Sequence, residues 1–246
     1  MSCSLSVRSF RQANPIVASV FALFFSSVTW AGCGGGGGGG GSGDGASTTG
    51  IRVLHGAIDA APLDVSSSAA PSVVVQRTAF GMPSSYAALP DGRQIVRVGR
   101  AKTPDSQIAN FNLTVDSSQR FSVLFFGDNA NFGLSARVVE DLIPEESGDG
   151  ALLRVIDGMT GASEVSVVAT TSGAARSNGQ EYRVSFGGVS QYLQVPVGAL
   201  RVSAKRVADG RILRSVDVTL SAGSAYTFFL AGEADYFVKA LLLTDR

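Results

Sequence analysis

The sequence FGMPSSYAALPDG occupies residues 80–92, and FGGVSQYLQVPVG occupies residues 186–198. The two stretches align without a gap and share the pattern F-G-x-x-S-x-Y-x-x-[LV]-P-x-G, with six identities and one Leu/Val exchange. We expect the aromatic residues to pack in a core or at a corner, and the glycines and prolines to fix a turn into the next strand. Besides the shared serine, the structural residues of the motif are Phe80, Gly81, Tyr86, Pro90 and Gly92 in the first copy, and Phe186, Gly187, Tyr192, Pro196 and Gly198 in the second.

Flanking segments match at nearly the same spacing. RVLHG at residues 52–56 pairs with RVIDG at residues 154–158, and FSVLFFG at residues 121–127 pairs with YTFFLAG at residues 226–232. Self-similarity at a fixed period is the signature of a duplicated structural unit. The sequence therefore predicts two copies of one module of about 100 residues.

Each copy has the pattern of an all-β domain. Short segments rich in Val, Ile, Phe, Tyr and Thr alternate with Gly, Pro, Asn and Asp, as in VDVTL at residues 216–220. Asp209-Gly210 is a two-residue hairpin signal. About seven strands in a domain of this size favour two tandem antiparallel β-sandwiches of the immunoglobulin-like or transthyretin-like kind. We expect the first at residues 51–143, a linker at residues 144–150 and the second at residues 151–246.

Composition limits the function. The 246 residues are 45% hydrophobic and 16% charged, with 20 basic and 20 acidic residues, which is typical of a globular protein and not of a basic nucleic-acid binder. One His and two Cys exclude zinc sites built from His and Cys clusters, and also a scaffold of several disulfides. We expect no cofactor, no metal and no nucleic-acid partner.

The N-terminal residues have the pattern of an export signal. Arg8 and Arg11 precede an uncharged, mostly apolar stretch at residues 16–31. Ala31-Gly32-Cys33 resembles a bacterial lipobox, although Trp30 stands where an aliphatic residue is usual. The pattern predicts a signal peptide at residues 1–32 and lipidation of Cys33. An uncleaved membrane anchor and an ordinary signal peptide are the alternatives.

A tether follows the cysteine. Residues 34–41 are all glycine, and residues 42–50 add no apolar side chain that could hold them in a fold. Such a coil, counted over residues 34–50, has an r.m.s. reach of roughly 23 Å. Gly34 is not the Asp that retains lipoproteins in the inner membrane, so resemblance to other lipoproteins implies the outer membrane. We therefore expect the membrane to be one partner, contacted through the N-terminal lipid.

Several segments together resemble a known family. They are RVLHG at residues 52–56, DAAPLDV at residues 59–65, the motif up to Gly92, and the apolar strand that ends at Gly127. This combination is similar to the bacterial and archaeal family called domain of unknown function 4397. The resemblance implies exported, often lipid-anchored proteins with one or more β-rich domains, and no assigned activity.

A few polar residues could carry chemistry. His55, the sole His, lies near Asp59 and Asp64, and this loop could serve a hydrolase or a cation-dependent enzyme; turn capping by the two aspartates is the alternative that we favour. Asp128, Asn129 and Asn131 have oxygen-bearing side chains that a hard cation could use. The acidic run that begins at Glu140-Asp141 is interpreted as a solvated linker.

These features favour a non-catalytic envelope lipoprotein whose two modules bind or scaffold a partner, either a polysaccharide or a protein. The alternatives are an envelope enzyme that uses the His55, Asp59 and Asp64 loop, and a purely structural spacer.

Overall fold

The computed structural model describes residues 49–70, 73–103, 106–129, 133–145, 149–171 and 180–246. The predicted signal peptide, Cys33, nearly all of the tether, and Asn131 lie outside these ranges. In the described ranges there are sixteen strands and no helix. No helix there is long and apolar enough to cross a membrane.

Eight strands belong to each repeat. Those of the first are β1 (Gly50–His55), β2 (Leu63–Ser67), β3 (Val73–Thr78), β4 (Ala87–Ala88), β5 (Gly92–Arg100), β6 (Gln107–Val115), β7 (Arg120–Asp128) and β8 (Gly133–Glu140). Those of the second are β9 (Ala151–Thr160), β10 (Glu164–Thr171), β11 (Gln180–Ser185), β12 (Leu193–Val195), β13 (Gly198–Arg206), β14 (Ile212–Leu220), β15 (Ala225–Glu233) and β16 (Phe237–Thr244).

The two repeats have the same sheet topology. The first consists of an inner sheet β4-β1-β7-β8 and an outer sheet β3-β2-β5-β6. The second has an inner sheet β12-β9-β15-β16 and an outer sheet β11-β10-β13-β14. The expected all-β fold of two tandem sandwiches is therefore confirmed. The sheets are not purely antiparallel, because β1 pairs with β7, and β9 with β15, in parallel.

Each sandwich has its own core between its two sheets. In β5 the buried positions alternate, with Gln94, Val96 and Val98 inside and Arg93, Ile95 and Arg97 exposed, so only one face of this outer strand is covered. The central inner strands differ, because every residue of β1 and β9 is buried. Both faces of these strands are covered.

The second face of each inner sheet is covered by the other repeat. A third apolar cluster draws on both repeats and contains Leu54, Leu124, Ile156, Phe229 and Ala231. The layers therefore follow in the order outer sheet, inner sheet, inner sheet, outer sheet. Residues 146–148 of the linker expected at residues 144–150 lie outside the described residues, and the two sandwiches on either side of it share a core.

Glycine permits the close approach of the inner sheets. A Cβ added to Gly56 would lie 2.6 Å from the carbonyl oxygen of Gly158 in the other repeat. The same strand end is fixed by the amide of Gly232, which donates to the carbonyl of Gly56 at 2.9 Å. The glycine that follows β1 and its equivalent in β9 thus lie back to back, because no side chain fits between them.

Candidate functional site

The shared tyrosines lie at the boundary between the repeats. The hydroxyl of Tyr86 donates to Asp141 Oδ2 at 2.7 Å, and the hydroxyl of Tyr192 donates to Asp245 Oδ2 at 2.9 Å. The guanidinium of the first-strand arginine in each repeat lies over the ring, at 4.7 Å in the first repeat and 4.8 Å in the second. Each tyrosine therefore has a specific polar function beyond the packing role that the motif suggested.

Two buried ion pairs join the repeats. Arg52 Nη2 lies 2.7 Å from Asp245 Oδ1, and Arg154 Nη2 pairs with Asp141 Oδ1. Each arginine belongs to one repeat and each aspartate to the other. The arginine side chains are 4% and 3% exposed and the aspartate side chains 0%, so water screens neither pair.

A hydroxyl connects each arginine to the aspartate of its own repeat. Ser122 Oγ accepts from Arg52 Nε at 2.8 Å and donates to Asp141 Oδ2 at 2.7 Å. Thr227 Oγ1 accepts from Arg154 Nε at 2.8 Å and donates at 2.6 Å to the aspartate of the second repeat. We call this set the junction network. Buried charges are tolerated when they are paired and hydrogen-bonded in this way.

The network changes the acidity of its members. Burial raises the pKa of the Tyr86 and Tyr192 hydroxyls well above the ordinary tyrosine value. Burial also acts to lower the pKa of Arg154, but Asp141 offsets this effect and the net direction is upward. Tyr86 and Tyr192 therefore remain neutral hydrogen-bond donors near neutral pH, and Arg154 remains charged.

Sequence reasoning missed the aspartates of this network. The expectation that Asp141 lies in a solvated linker is wrong, since the residue is 7% exposed and its side chain is fully covered. The interpretation failed because neighbouring acids made the stretch look like a linker. One signal could have found it, because Asp141 and Asp245 directly follow the last strand residues of the two repeats at matching positions.

The shared phenylalanines also pack across the boundary. Phe80 makes an edge contact with Phe237 of the second repeat, with ring centroids 6.3 Å apart. Phe186 makes one with Phe126 of the first repeat at 5.2 Å. The shared glycines hold the turns, since Gly81 and Gly187 have φ of 61° and 68°, in the left-handed region that favours glycine.

His55 and Asp157 occupy equivalent positions in β1 and β9, and both are fully buried. His55 Nε2 lies 3.2 Å from the carbonyl of Ala61, its ring meets Phe125 edge-on at 5.0 Å, and burial lowers its pKa. Asp157 Oδ1 accepts the amide of Met159 at 3.0 Å, and burial raises the pKa of Asp157 to about 8. Both side chains are therefore held in their neutral forms near pH 7.

The structure brings some of the proposed loop residues together. Asp59 Oδ2 accepts the amide of Asn129 at 2.9 Å, and the Asn129 side chain donates to the carbonyl of Asp59 at 3.0 Å. Asp128, the residue before, is buried. The contact joins the loop after β1 to the end of β7, which the sequence alone did not connect.

Asp64 lies elsewhere and acts as a backbone cap. Its Oδ1 accepts the amide of Arg77 at 2.7 Å, and its Oδ2 accepts the amide of Lys102 at 3.2 Å. Both of those residues have positive φ, 50° in β3 and 64° in the turn after β5, so the carboxylate stabilises two backbone conformations that are otherwise unfavourable. In the described part of the chain, no three His, Cys, Asp or Glu side chains are grouped as metal ligands.

A family model matches the sequence of both repeats. It is described as Domain of unknown function (DUF4397), and it matches residues 49–168 and 151–246. The chain belongs to the DUF4397 family. The two overlapping matches agree with two tandem DUF4397 copies, each beginning at the strand that contributes the network arginine.

Two solved structures resemble the DUF4397 chain weakly. One is the fimbrial anchor protein Mfa2 from Porphyromonas gingivalis, with 11% identity and a TM-score of 0.25 over 80% of this chain and 97% of that one. The other is described as a candidate cell adhesion protein from Bacteroides uniformis, with 10% identity and a TM-score of 0.26 over 80% of this chain and 96% of that one. No curated protein matches the chain significantly.

Proposed function

We propose that this protein is a non-catalytic binding or scaffolding protein of the bacterial cell envelope, held at the outer membrane by a lipid on Cys33. The lipobox-like Ala31-Gly32-Cys33 and the glycine run after it support the anchor. Membership of the DUF4397 family supports an exported β-rich protein. The partner is a polysaccharide or another envelope protein.

The contacts that the fold makes with His55, Asp59 and Asp64 support a non-catalytic role. His55 is fully buried against Phe125, and both carboxylate oxygens of Asp64 accept backbone amides. Asp59 Oδ2 accepts the amide of Asn129. A general base must reach a substrate proton, and these groups are occupied by the fold itself. This is the observation that carries the proposal.

The layer order leaves two faces for binding. The inner sheets cover each other, whereas the outer sheets β3-β2-β5-β6 and β11-β10-β13-β14 each have one face without another layer. A tether at the N-terminus would let these faces meet partners in many orientations. We therefore place the binding surface on the outer sheets and not at the junction of the repeats.

Catalysis is tested on the soluble mature domains with ester and glycoside chromogenic substrates. We expect no turnover above buffer for the natural sequence or for Asp59→Asn combined with Asp64→Asn. A turnover that the natural sequence shows and that the folded double variant loses would overturn the proposal. Circular dichroism of the variant is the control for folding.

The anchor is tested in cells fed labelled palmitate. We expect label in the natural protein and none in Cys33→Ser. The only tryptophan, Trp30, lies in the predicted leader, so the processed protein should show tyrosine emission alone. Tryptophan emission from membrane-purified protein, or label retained in Cys33→Ser, would contradict lipoprotein processing.

A further inference from the structure

The outer sheet of the first repeat carries basic side chains without acidic partners. Arg93 and Arg97 are exposed on β5, and Arg100 and Lys102 follow at its end. In the described residues none of these four side chains forms an ion pair. Opposite Arg97 stand the neutral residues Ser66 on β2 and Asn110 on β6.

The second repeat pairs two arginines of its outer sheet with acids. Arg201 Nε and Nη2 donate to the two oxygens of Asp217, each at 2.8 Å, and Arg183 pairs with Glu181 at 3.2 Å. At the positions that match Arg93 and Arg97, this repeat has Ala199 and Ser203. The positive face is therefore a property of one copy and not of the shared fold.

The basic residues line two neighbouring recesses. One, of about 550 Å³, includes Arg97, Arg100 and Lys102 together with Ser66 and Gln107. The only acid in its described lining is Asp64, whose oxygens accept backbone amides.

The second recess, of about 510 Å³, includes Arg93, Ile95, Asn112 and Thr114. Ile95 and Arg97 are alternate residues of one strand, so the two recesses are successive parts of one face. We call this face the basic groove.

The chemistry of the basic groove fits one class of ligand. Guanidinium groups bind carboxylates in pairs of parallel hydrogen bonds, and Asn, Gln, Ser and Thr side chains match sugar hydroxyls. Arg93 and Arg97 lie four strand positions apart, roughly 13 Å, which spans more than one sugar unit. No aromatic residue is among the described lining residues, so the bases of a nucleic acid would find no stacking partner.

We propose that the basic groove binds an acidic polysaccharide whose repeating units carry carboxylates. The proposal deepens the binding role given above and rests on it, because it assigns that role a surface and a ligand class. Arg93 and Arg97 hold carboxylates that lie more than one sugar unit apart along the chain, and the amide and hydroxyl side chains between them hold the sugar ring hydroxyls.

The test is calorimetric titration of the mature protein with polygalacturonate. We expect binding that weakens as salt is raised, since exposed charges are screened. Arg93→Ala combined with Arg97→Ser, which copies the second repeat, should weaken binding by about tenfold or more. The matched control Arg201→Ser removes an exposed arginine from the other outer sheet and should leave binding unchanged.

Several outcomes would overturn the proposal. They are no binding of polygalacturonate, unchanged binding by the folded double variant, equal binding of neutral dextran, and tighter binding to anionic phosphatidylglycerol vesicles or to oligothymidylate. If the double variant still binds polygalacturonate, the general binding role would stand, but the binding site would lie on another surface. A catalytic turnover would instead overturn the role itself.

Discussion

Arg52 and Asp245 form a buried ion pair, 2.7 Å from Nη2 to Oδ1, between the first strand of the first repeat and the residue that follows the last strand of the second. The matching pair of Arg154 and Asp141 runs in the opposite sense. Each repeat therefore supplies the aspartate that pairs with the buried arginine of the other repeat.

Removing one charge from this exchange should destabilise the protein strongly. Asp245→Asn removes the nearer counter-ion of the buried Arg52, whose Nε remains 3.9 Å from Asp141 Oδ2, and we expect the free energy of unfolding to fall by about 3–5 kcal/mol. The control Asp217→Asn removes the acid of the exposed pair with Arg201, which water screens, and should lower the free energy of unfolding far less. Urea unfolding measures both values, and similar losses in the two variants would contradict the account of the network.

The repeats should unfold together. Separation of the sandwiches would expose the third apolar cluster and remove from Arg52 and Arg154 the aspartates of the other repeat. We therefore expect one transition in urea, with the amides of β5 and β13 exchanging hydrogen through the same global opening. Two separate transitions, or one outer sheet that loses protection well before the other, would show that the junction contributes little.

Asp157 should make the protein less stable as the pH rises. Burial raises the pKa of Asp157 in the folded protein to about 8. The stability that the protonated side chain supplies is therefore fully present below the pKa of Asp157 in the unfolded chain. It is lost progressively as the pH rises from that value to about 8. Each pH unit in that window should cost about 1.4 kcal/mol. Burial lowers the pKa of His55, so this residue makes the free energy of unfolding rise with pH below about pH 6.5. The effect of Asp157 is therefore measured between pH 6.5 and 8.

The measurement is the unfolding free energy across this window. Asp157→Asn should flatten the profile and should be more stable than the natural sequence at pH 8. Burial raises the pKa of the Tyr86 and Tyr192 hydroxyls above the ordinary tyrosine value, so these two groups do not contribute there. A natural protein whose stability is constant between pH 6.5 and 8 would show that Asp157 is ionised in the fold.

Asp64 should contribute to folding and not to cation binding. Asp64→Asn leaves one acceptor for two backbone amides, and we expect a loss of about 1–2 kcal/mol. Added calcium should leave the melting temperature unchanged in the natural protein. A calcium-dependent rise that disappears in Asp59→Asn combined with Asp64→Asn would instead establish the cation site that the sequence suggested.

The loop residues show the limit of local reasoning. The sequence marked Asp59 and Asn129 as separate candidates, and the structure joins them by two hydrogen bonds because the loop after β1 lies against the end of the parallel strand β7. Asp64 was grouped with Asp59 by spacing, yet it accepts the backbone amides of Arg77 in β3 and of Lys102 in the turn after β5. Proximity in sequence does not set the direction of a side chain in a strand, where successive residues face opposite sides.

The sequence by itself determined the duplicated module, the all-β class and the turns of the shared motif, because strand alternation and glycine or proline turns are local properties of the chain. Only the tertiary structure decided that the inner sheets share a core and that Asp141 is buried opposite Arg154. Burial depends on which faces meet, and that is settled by contacts between residues far apart in the chain. From the sequence alone, a polar residue at or beside a strand is interpreted as exposed to solvent, and only the tertiary structure shows whether a second layer covers it.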